Sequence, residues 1–140
     1  DQVQESVALG AKLLCGGEIP NKEGFFYPIT ALSHVTPDMP VFHQETFGPV
    51  FSFIEAKDEA ECIALANDSS YGLGGSIYTT NLKRGEEIAR NEIHTGSCFV
   101  NAMVKTQPEL PVGGIKNSGY GRELGLGITE FTNIKTICIN

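Results

Sequence analysis

The regular alternation of strand-like and helix-like segments over residues 50–101 restricts the fold more than any other feature. In chain order these segments are a strand at 50–56, a helix at 59–67, a strand at 75–79, a helix at 82–91 and a strand at 97–101. Asp58 and Asn81 stand just before the two helices, where their side chains can cap the first turn. This order and spacing are typical of right-handed βαβ crossovers, and they predict an α/β fold with a parallel sheet.

The remaining segments extend this pattern at both ends. They are predicted as the end of a helix at 2–12, a strand at 12–15, an extended segment at 25–35, a turn at 36–40 and a short helix near 122–125. Residues 133–139 alternate as a strand but have no hairpin partner next to them in sequence. Because an unpaired strand exposes its backbone hydrogen-bonding groups, we expect it to add to a sheet of a neighbouring subunit.

Charge and hydropathy exclude two function classes. The 140 residues carry a formal net charge of −7 and no cluster of lysines and arginines. Phosphate neutralisation supplies most nucleic-acid affinity, so this chain is a poor nucleic-acid binder. No apolar run approaches the roughly 18 residues of a transmembrane helix, so no membrane span is predicted.

Four cysteines are scattered along the chain, at Cys15, Cys62, Cys98 and Cys138. Neither they nor the three histidines are clustered as zinc ligands would be. We therefore interpret the four cysteines as buried free thiols of a protein in a reducing compartment, the cytoplasm. Cys98 has apolar neighbours, which raise a thiol pKa, so its sequence context argues against a nucleophilic role.

Glycines concentrate at 72–75 and 113–127 without forming a phosphate-binding motif between a strand and a helix. We interpret them as turn glycines or as points of close backbone approach.

The stretch QETFGPV at residues 44–50 carries the most chemistry. Pro49 restricts Gly48 to an extended conformation, which would hold Glu45 and Phe47 at the rim of a sheet. There a carboxylate could accept two hydrogen bonds from hydroxyl groups, and a ring could lie against a flat ligand. The alternative interpretation is a surface glutamate and a core phenylalanine beside the start of a strand.

This stretch resembles the E-x-F-G-P motif of the NAD(P)-dependent aldehyde dehydrogenase superfamily. Three further blocks agree with that family in order and spacing: NDSSYGLGGSIYT at 67–79, GSCFVN at 96–101 and PVGGIKNSGYGRE at 111–123. The resemblance covers nearly the whole chain but only the C-terminal part of such an enzyme. It implies that residues 1–126 belong to the catalytic domain, with its parallel βαβ units, and that residues 127–140 form a C-terminal oligomerisation strand.

The same resemblance implies roles for the site residues. Glu45 would bind the hydroxyls of the nicotinamide ribose, and Phe47 would pack beside the nicotinamide ring of NAD or NADP. Most of the cofactor site, the nucleophilic cysteine and the general-base glutamate would lie upstream of Asp1. No catalytic residue would then be in this chain, and the chain alone is expected to be inactive.

The loop at 101–114 would form part of the substrate tunnel, and its sequence resembles the succinate-semialdehyde dehydrogenase branch. Lys105, Thr106 and Gln107 could donate hydrogen bonds to a substrate carboxylate. The alternative is that they are solvated loop residues. Many family members have phenylalanine where this chain has Val112, which leaves the exact aldehyde open.

The resemblance therefore predicts part of a homo-oligomeric enzyme that oxidises an aldehyde, succinate semialdehyde in particular, to the carboxylic acid. A second hypothesis is a free-standing structural or interaction module derived from such an enzyme. The unpaired strand at 133–139 motivates this second hypothesis.

Overall fold

The structure, a computed structural model, describes residues 1–139, with only the backbone described at Leu126. It divides into two compact units, Asp1–Asp68 and Ser69–Asn140. The first unit contains α1 (Gln2–Ala8), β1 (Lys12–Cys15), β2 (Thr30–Ser33), α2 (Pro40–His43), β3 (Val50–Ser52) and α3 (Glu59–Asn67). The second contains β4 (Tyr71–Gly72), β5 (Gly74–Ile77), α4 (Leu82–Asn91), β6 (Ser97–Val100), β7 (Ile115–Lys116) and a 3₁₀ helix (Gly125–Phe131).

The first unit is built on a three-stranded sheet in the order β1–β2–β3. β2 is antiparallel to β1 and parallel to β3, with Thr30 opposite Val50. Leu32 in the central strand is fully buried, in a core with Val3, Ala11, Val35, Met39 and Val41. Full burial of such a side chain stabilises the fold by about 1.5–3 kcal/mol relative to exposure. The buried Ser6 hydroxyl accepts a hydrogen bond from the Val41 N–H, and this bond joins α1 to α2.

The second unit contains a βαβ crossover, β5–α4–β6, whose two strands are parallel and pair from Gly74–Ser97 to Ile77–Val100. The helix buries Gly85 and Ile88. A Cβ at Gly85 would lie 2.7 Å from a methyl carbon of Thr79 and 3.0 Å from one of Val100. The absence of that Cβ lets the helix pack closely against the strand ends. The α/β class with parallel strand pairs is thus confirmed.

Both predicted central helices have the predicted bounds, because their start signals are local. The Asp58 side chain accepts a hydrogen bond from the Glu61 N–H at 2.8 Å. The Asn81 side chain accepts one from the Arg84 N–H at 3.1 Å. Gly85 and Ile88 form the buried face of α4, and Leu82 at its first position is exposed.

Several predicted elements differ from the structure. The parallel pairing of β2 with β3 was not predicted, although the 16 residues between them, which include α2, are long enough for a crossover. The predicted turn at 36–40 leads into α2, whose first residue is Pro40. The short helix expected near 122–125 is a 3₁₀ helix further along the chain. The antiparallel pair β4–β7 was not predicted, since each strand has only two residues.

The C-terminal tail forms no strand within the part of the chain that the structure describes. Its isoleucines, Ile134, Ile137 and Ile139, are all exposed. The expected boundary of the terminal segment, at residue 127, falls inside the 3₁₀ helix. Pairing of residues 133–139 with another subunit stays a prediction, since its partner strand would belong to that subunit.

Candidate functional site

Residues 44–50 form a tight loop that ends where β3 begins. The Gly48 N–H donates to the Thr46 carbonyl at 2.9 Å, and the Val50 N–H donates to the Gly48 carbonyl at 2.8 Å. The Pro49 carbonyl accepts a hydrogen bond from the Thr30 N–H at 2.9 Å, so the loop is anchored to the central strand of the sheet. The pairing of β2 with β3 therefore also fixes the backbone of this loop.

Glu45 and Phe47, the two predicted cofactor residues, both face solvent in this chain. The backbone carbonyl of Glu45 accepts a hydrogen bond from Gln2 Nε2 at 3.1 Å, and the same nitrogen donates to Gln44 Oε1 at 3.1 Å. Within residues 1–139, no hydrogen bond or ion pair involves the Glu45 carboxylate. Phe47 is 95% exposed, which makes the alternative of a core phenylalanine wrong.

Phe47 lines a cavity of about 260 Å³. Its other lining residues are Asp1, Gln2, Val3, Tyr27, Thr46, Gly48 and Val50. A Cβ on Gly48 would meet no atom within 4 Å, so packing inside this chain does not explain a glycine there. Within four residues the loop therefore presents the Glu45 carboxylate, which has no partner among the described residues, the solvent-exposed Phe47 ring and Gly48, which has free space beside it.

The predicted substrate loop contributes to a second cavity, of about 120 Å³. Lys105 and Thr106 line it, whereas Gln107 is not among its lining residues. The Gln107 carbonyl instead accepts a hydrogen bond from the Leu110 N–H at 3.1 Å, which closes a turn. The cavity is apolar apart from these residues and Ser97, and its other walls are Leu73, Phe99, Val104, Leu110, Pro111 and Val112.

Sequence reasoning missed the strand residues in this second cavity. Ser97 and Phe99 both line it, two positions apart on β6. Period-2 alternation places such residues on one face of a strand, and that signal could have identified them. Val112, whose small side chain left the substrate open, is also in the wall.

The segment 112–123, which begins at the cavity-lining residue Val112, folds back on itself. Val112 and Glu123 exchange two backbone hydrogen bonds, at 2.7 and 2.6 Å. The Arg122 guanidinium donates to the carbonyls of Gly114 and Gly121, at 3.1 and 2.7 Å. Gly121 has a φ of +76°, which a residue with a side chain rarely adopts. These hydrogen bonds hold the two ends of the segment 112–123 together next to Val112, which lines the cavity.

The four cysteines are free thiols, as predicted, but the expectation that they are buried is wrong. Cys15, Cys62 and Cys138 are exposed, and Cys98 is half-buried. Burial raises the pKa of the Cys98 thiol, and the backbone N–H of Phe99 offsets only part of that rise. In residues 1–139, no group of three or more His, Cys, Asp or Glu side chains is placed to hold a metal ion. No helix in the same range is long and apolar enough to cross a membrane.

The mixed α/β fold with parallel strand pairs matches that of the dehydrogenases that the motifs resemble. The sequence profile of the aldehyde dehydrogenase family matches residues 1–137. The chain belongs to the aldehyde dehydrogenase family.

Individual relatives narrow the comparison. The chain is 46% identical over 139 residues to the probable succinate-semialdehyde dehydrogenase (NADP⁺) of Synechocystis sp., covering 99% of this chain and 30% of that protein. It is also 46% identical over 136 residues to an aldehyde dehydrogenase of Paenarthrobacter nicotinovorans, covering 96% of this chain and 30% of that protein. A crystal structure of succinic semialdehyde dehydrogenase from Streptococcus pyogenes, in complex with NADP⁺ as the cofactor, superposes with a TM-score of 0.89 at 44% identity. It matches 99% of this chain and 30% of its own. The chain thus spans about 30% of the length of these relatives.

Proposed function

We infer that this chain is part of an NAD(P)-dependent aldehyde dehydrogenase that oxidises succinate semialdehyde to the carboxylic acid. The observation that carries this inference is the family match over residues 1–137, together with the named activity of the relatives. In the balanced reaction, aldehyde, water and oxidised cofactor give carboxylic acid, reduced cofactor and a proton. The nicotinamide supplies the hydride acceptor when it is bound.

The loop at 44–50 fits the ribose and nicotinamide end of such a cofactor. The two oxygens of a carboxylate accept hydrogen bonds, and the two neighbouring hydroxyls of a ribose can donate them. Glu45 has no partner for its carboxylate among the described residues, so it is available for that role. Phe47 offers an exposed flat face of a kind that would restrict the position of a planar ring. Restricting a reacting ring to one orientation lowers the barrier for hydride transfer.

The smaller cavity fits an aldehyde with a short apolar chain and an anionic end. Its walls are mostly apolar, while the Lys105 ammonium and the Thr106 hydroxyl are hydrogen-bond donors. A charge-assisted bond from lysine to a carboxylate is stronger than a neutral bond, so these donors would favour succinate semialdehyde over neutral aldehydes. Gln107, the third predicted donor, does not line the cavity, so its role in substrate binding is proposed from the sequence alone.

The terminal segment fits assembly of a homo-oligomer in the cytoplasm. Ile134, Ile137 and Ile139 are exposed on a tail that forms no strand within residues 1–139. Pairing with the sheet of another subunit would satisfy the backbone of this tail and cover its side chains.

The cofactor roles are tested on the full-length gene product by steady-state kinetics. Glu45→Gln weakens a charge-assisted hydrogen bond, so KM for NAD(P) should rise by about tenfold while KM for the aldehyde is unchanged. Phe47→Leu should lower kcat and leave KM for the aldehyde unchanged. Glu55→Gln and Phe53→Leu are the matched controls, since both native side chains are exposed in the same unit. Equal effects of the site and control variants would overturn the assignment.

The substrate role is tested by comparing succinate semialdehyde with butanal. Lys105→Met removes the ammonium but keeps the stem, so kcat/KM for succinate semialdehyde should fall about tenfold more than kcat/KM for butanal. Lys83→Met, on the exposed side of α4, is the control. A wild-type preference for butanal, or an equal loss for both aldehydes in the Lys105 variant, would contradict the proposed substrate.

A further inference from the structure

Asn101 directly follows β6, in a backbone conformation that is uncommon for a residue with a side chain. Its φ is +53°, in the left-handed region, where asparagine is one of the few tolerated non-glycine residues. Its backbone N–H donates to the Ile77 carbonyl at 2.7 Å and so continues the β5–β6 ladder by one bond. The chain then turns away from the sheet at this residue.

The Asn101 side chain makes a two-point contact with the backbone of Thr79. Oδ1 accepts a hydrogen bond from the Thr79 N–H at 2.8 Å, and Nδ2 donates to the Thr79 carbonyl at 2.8 Å. The carboxamide thereby pairs with Thr79 as a strand residue would, after β5 itself has ended. We call this contact the Asn101–Thr79 clamp.

Few side chains can make this clamp. It needs one acceptor and one donor on a short planar group, which only a carboxamide offers. Aspartate would replace the donor by a second oxygen facing the Thr79 carbonyl. Glycine would keep the left-handed backbone and lose both hydrogen bonds. The backbone conformation and the two bonds are therefore separate requirements that asparagine meets together.

Thr79 is a well-fixed anchor for the clamp. Its Oγ1 accepts a hydrogen bond from the Asn81 N–H at 3.1 Å, at the start of α4. Its methyl carbon lies 2.7 Å from the position that a Cβ on Gly85 would take, so Thr79 also packs against the helix. Asn101 thus ties the departure point of the following loop to the β5–α4–β6 crossover.

The loop that leaves Asn101 forms one side of the 120 Å³ cavity through Val104, Lys105 and Thr106. Val104 reaches back to β5, since a Cβ on Gly74 would lie 2.7 Å from its Cγ1. Only two residues separate Asn101 from Val104, so the direction in which the chain leaves the clamp decides where these side chains lie.

We propose that Asn101 is a positioning residue for the aldehyde cavity: the clamp on Thr79 sets the place of Val104, Lys105 and Thr106. This proposal deepens the proposed function and rests on it for the identity of the ligand. Asn101 touches neither substrate nor cofactor in this account, and it acts only through the loop. The clamp is exposed and each of its hydrogen bonds contributes little to stability, so its loss should leave the fold intact.

The direct test is hydrogen–deuterium exchange of the full-length gene product, with peptides covering residues 102–112. Asn101→Gly keeps the left-handed backbone without the clamp, and exchange in that segment should become at least about tenfold faster. Asp58→Ala removes one side-chain hydrogen bond to the backbone in the other unit and is the stability control. Unchanged exchange at 102–112 in the Asn101→Gly variant, with wild-type folding verified by circular dichroism, would overturn the proposal.

Kinetics then separate a positioning role from a general loss of stability. In Asn101→Gly and Asn101→Asp, KM for succinate semialdehyde should rise about tenfold or more, because a misplaced wall weakens aldehyde binding. KM for NAD(P) should not change. The preference for succinate semialdehyde over butanal should fall as well.

A uniform drop in kcat for both aldehydes, equal to that of Asp58→Ala, would overturn the proposal. If the wild-type protein oxidised no aldehyde, the proposed function would fall, and the exchange experiment would still decide whether Asn101 positions the loop.

Discussion

At the scale of single residues, four non-glycine positions within residues 1–139 have positive φ: His34, Asn101, Lys116 and Leu124. Such backbone costs about 1–2 kcal/mol per residue and persists where other contacts fix it. Asn101 is held by its clamp, and Lys116 donates from Nζ to the Ser69 carbonyl at 2.8 Å. Glycine is the main sequence signal of left-handed backbone, and asparagine, aspartate and histidine are weaker ones. The conformations of Lys116 and Leu124 therefore had no signal, whereas those of Asn101 and His34 had a weak one.

The Cys98 thiol should be a poor nucleophile. Burial raises its pKa, so at neutral pH less of it is thiolate than in an ordinary cysteine. Alkylation by iodoacetamide in the 140-residue chain, followed by peptide mass spectrometry, should therefore be slower at Cys98 than at the exposed Cys62. Because the raised pKa moves deprotonation of the Cys98 thiol to higher pH, the labelling rate at Cys98 should continue to rise at pH values where an ordinary cysteine is already mostly thiolate.

The same chain should form no NAD(P)H from aldehyde and cofactor. The matching Cys98→Ser variant is the control for this assay. Fast labelling of Cys98 at neutral pH, or a turnover that disappears in Cys98→Ser, would show that this thiol is reactive after all.

At the scale of elements, the predictable parts are those that short-range signals determine. α3 and α4 each follow a capping side chain and were predicted to the residue. Strand pairing depends on residues far apart in sequence, so neither the β2–β3 pair nor the β4–β7 pair was predicted. In the candidate site, the motif at 44–50 indicated Glu45 and Phe47, but nothing local indicated that Asn101 reaches back 22 residues to Thr79.

The cap of α3 should contribute measurably to its stability. This helix buries none of its residues, so little tertiary packing compensates for a lost cap. Asp58→Ala should lower the free energy of unfolding by about 1 kcal/mol and speed amide exchange in residues 59–67. Asp58→Asn keeps the oxygen acceptor and should stay close to wild type. Urea unfolding measures both variants, and an equal loss in the two would mean that the charge, and not the hydrogen bond to the Glu61 N–H, stabilises the helix.

At the scale of the whole molecule, the chain buries few apolar side chains and exposes many. Six hydrophobic residues make up the buried cluster of the first unit. Phe25, Phe47, Tyr120, Phe131 and Ile139 are each at least 90% exposed. This many exposed large apolar side chains is what we expect where partner surfaces are absent, which agrees with a chain spanning 30% of the length of its relatives.

The 140-residue chain on its own should therefore self-associate. Apolar association is opposed by the formal net charge of −7, and salt screens that repulsion over a Debye length of about 8 Å at physiological ionic strength. Sedimentation velocity should show the weight-average mass rising with protein concentration, and rising further with added sodium chloride.

Replacing Ile134, Ile137 and Ile139 together by serine should reduce the association if the tail pairs between chains, since it removes apolar area while leaving the core cluster intact. Association that persists unchanged in this variant would place the contact on other exposed side chains and contradict the tail as the assembly element. A monomer at every concentration and salt level would mean that the exposed surface is too dispersed to drive association at all.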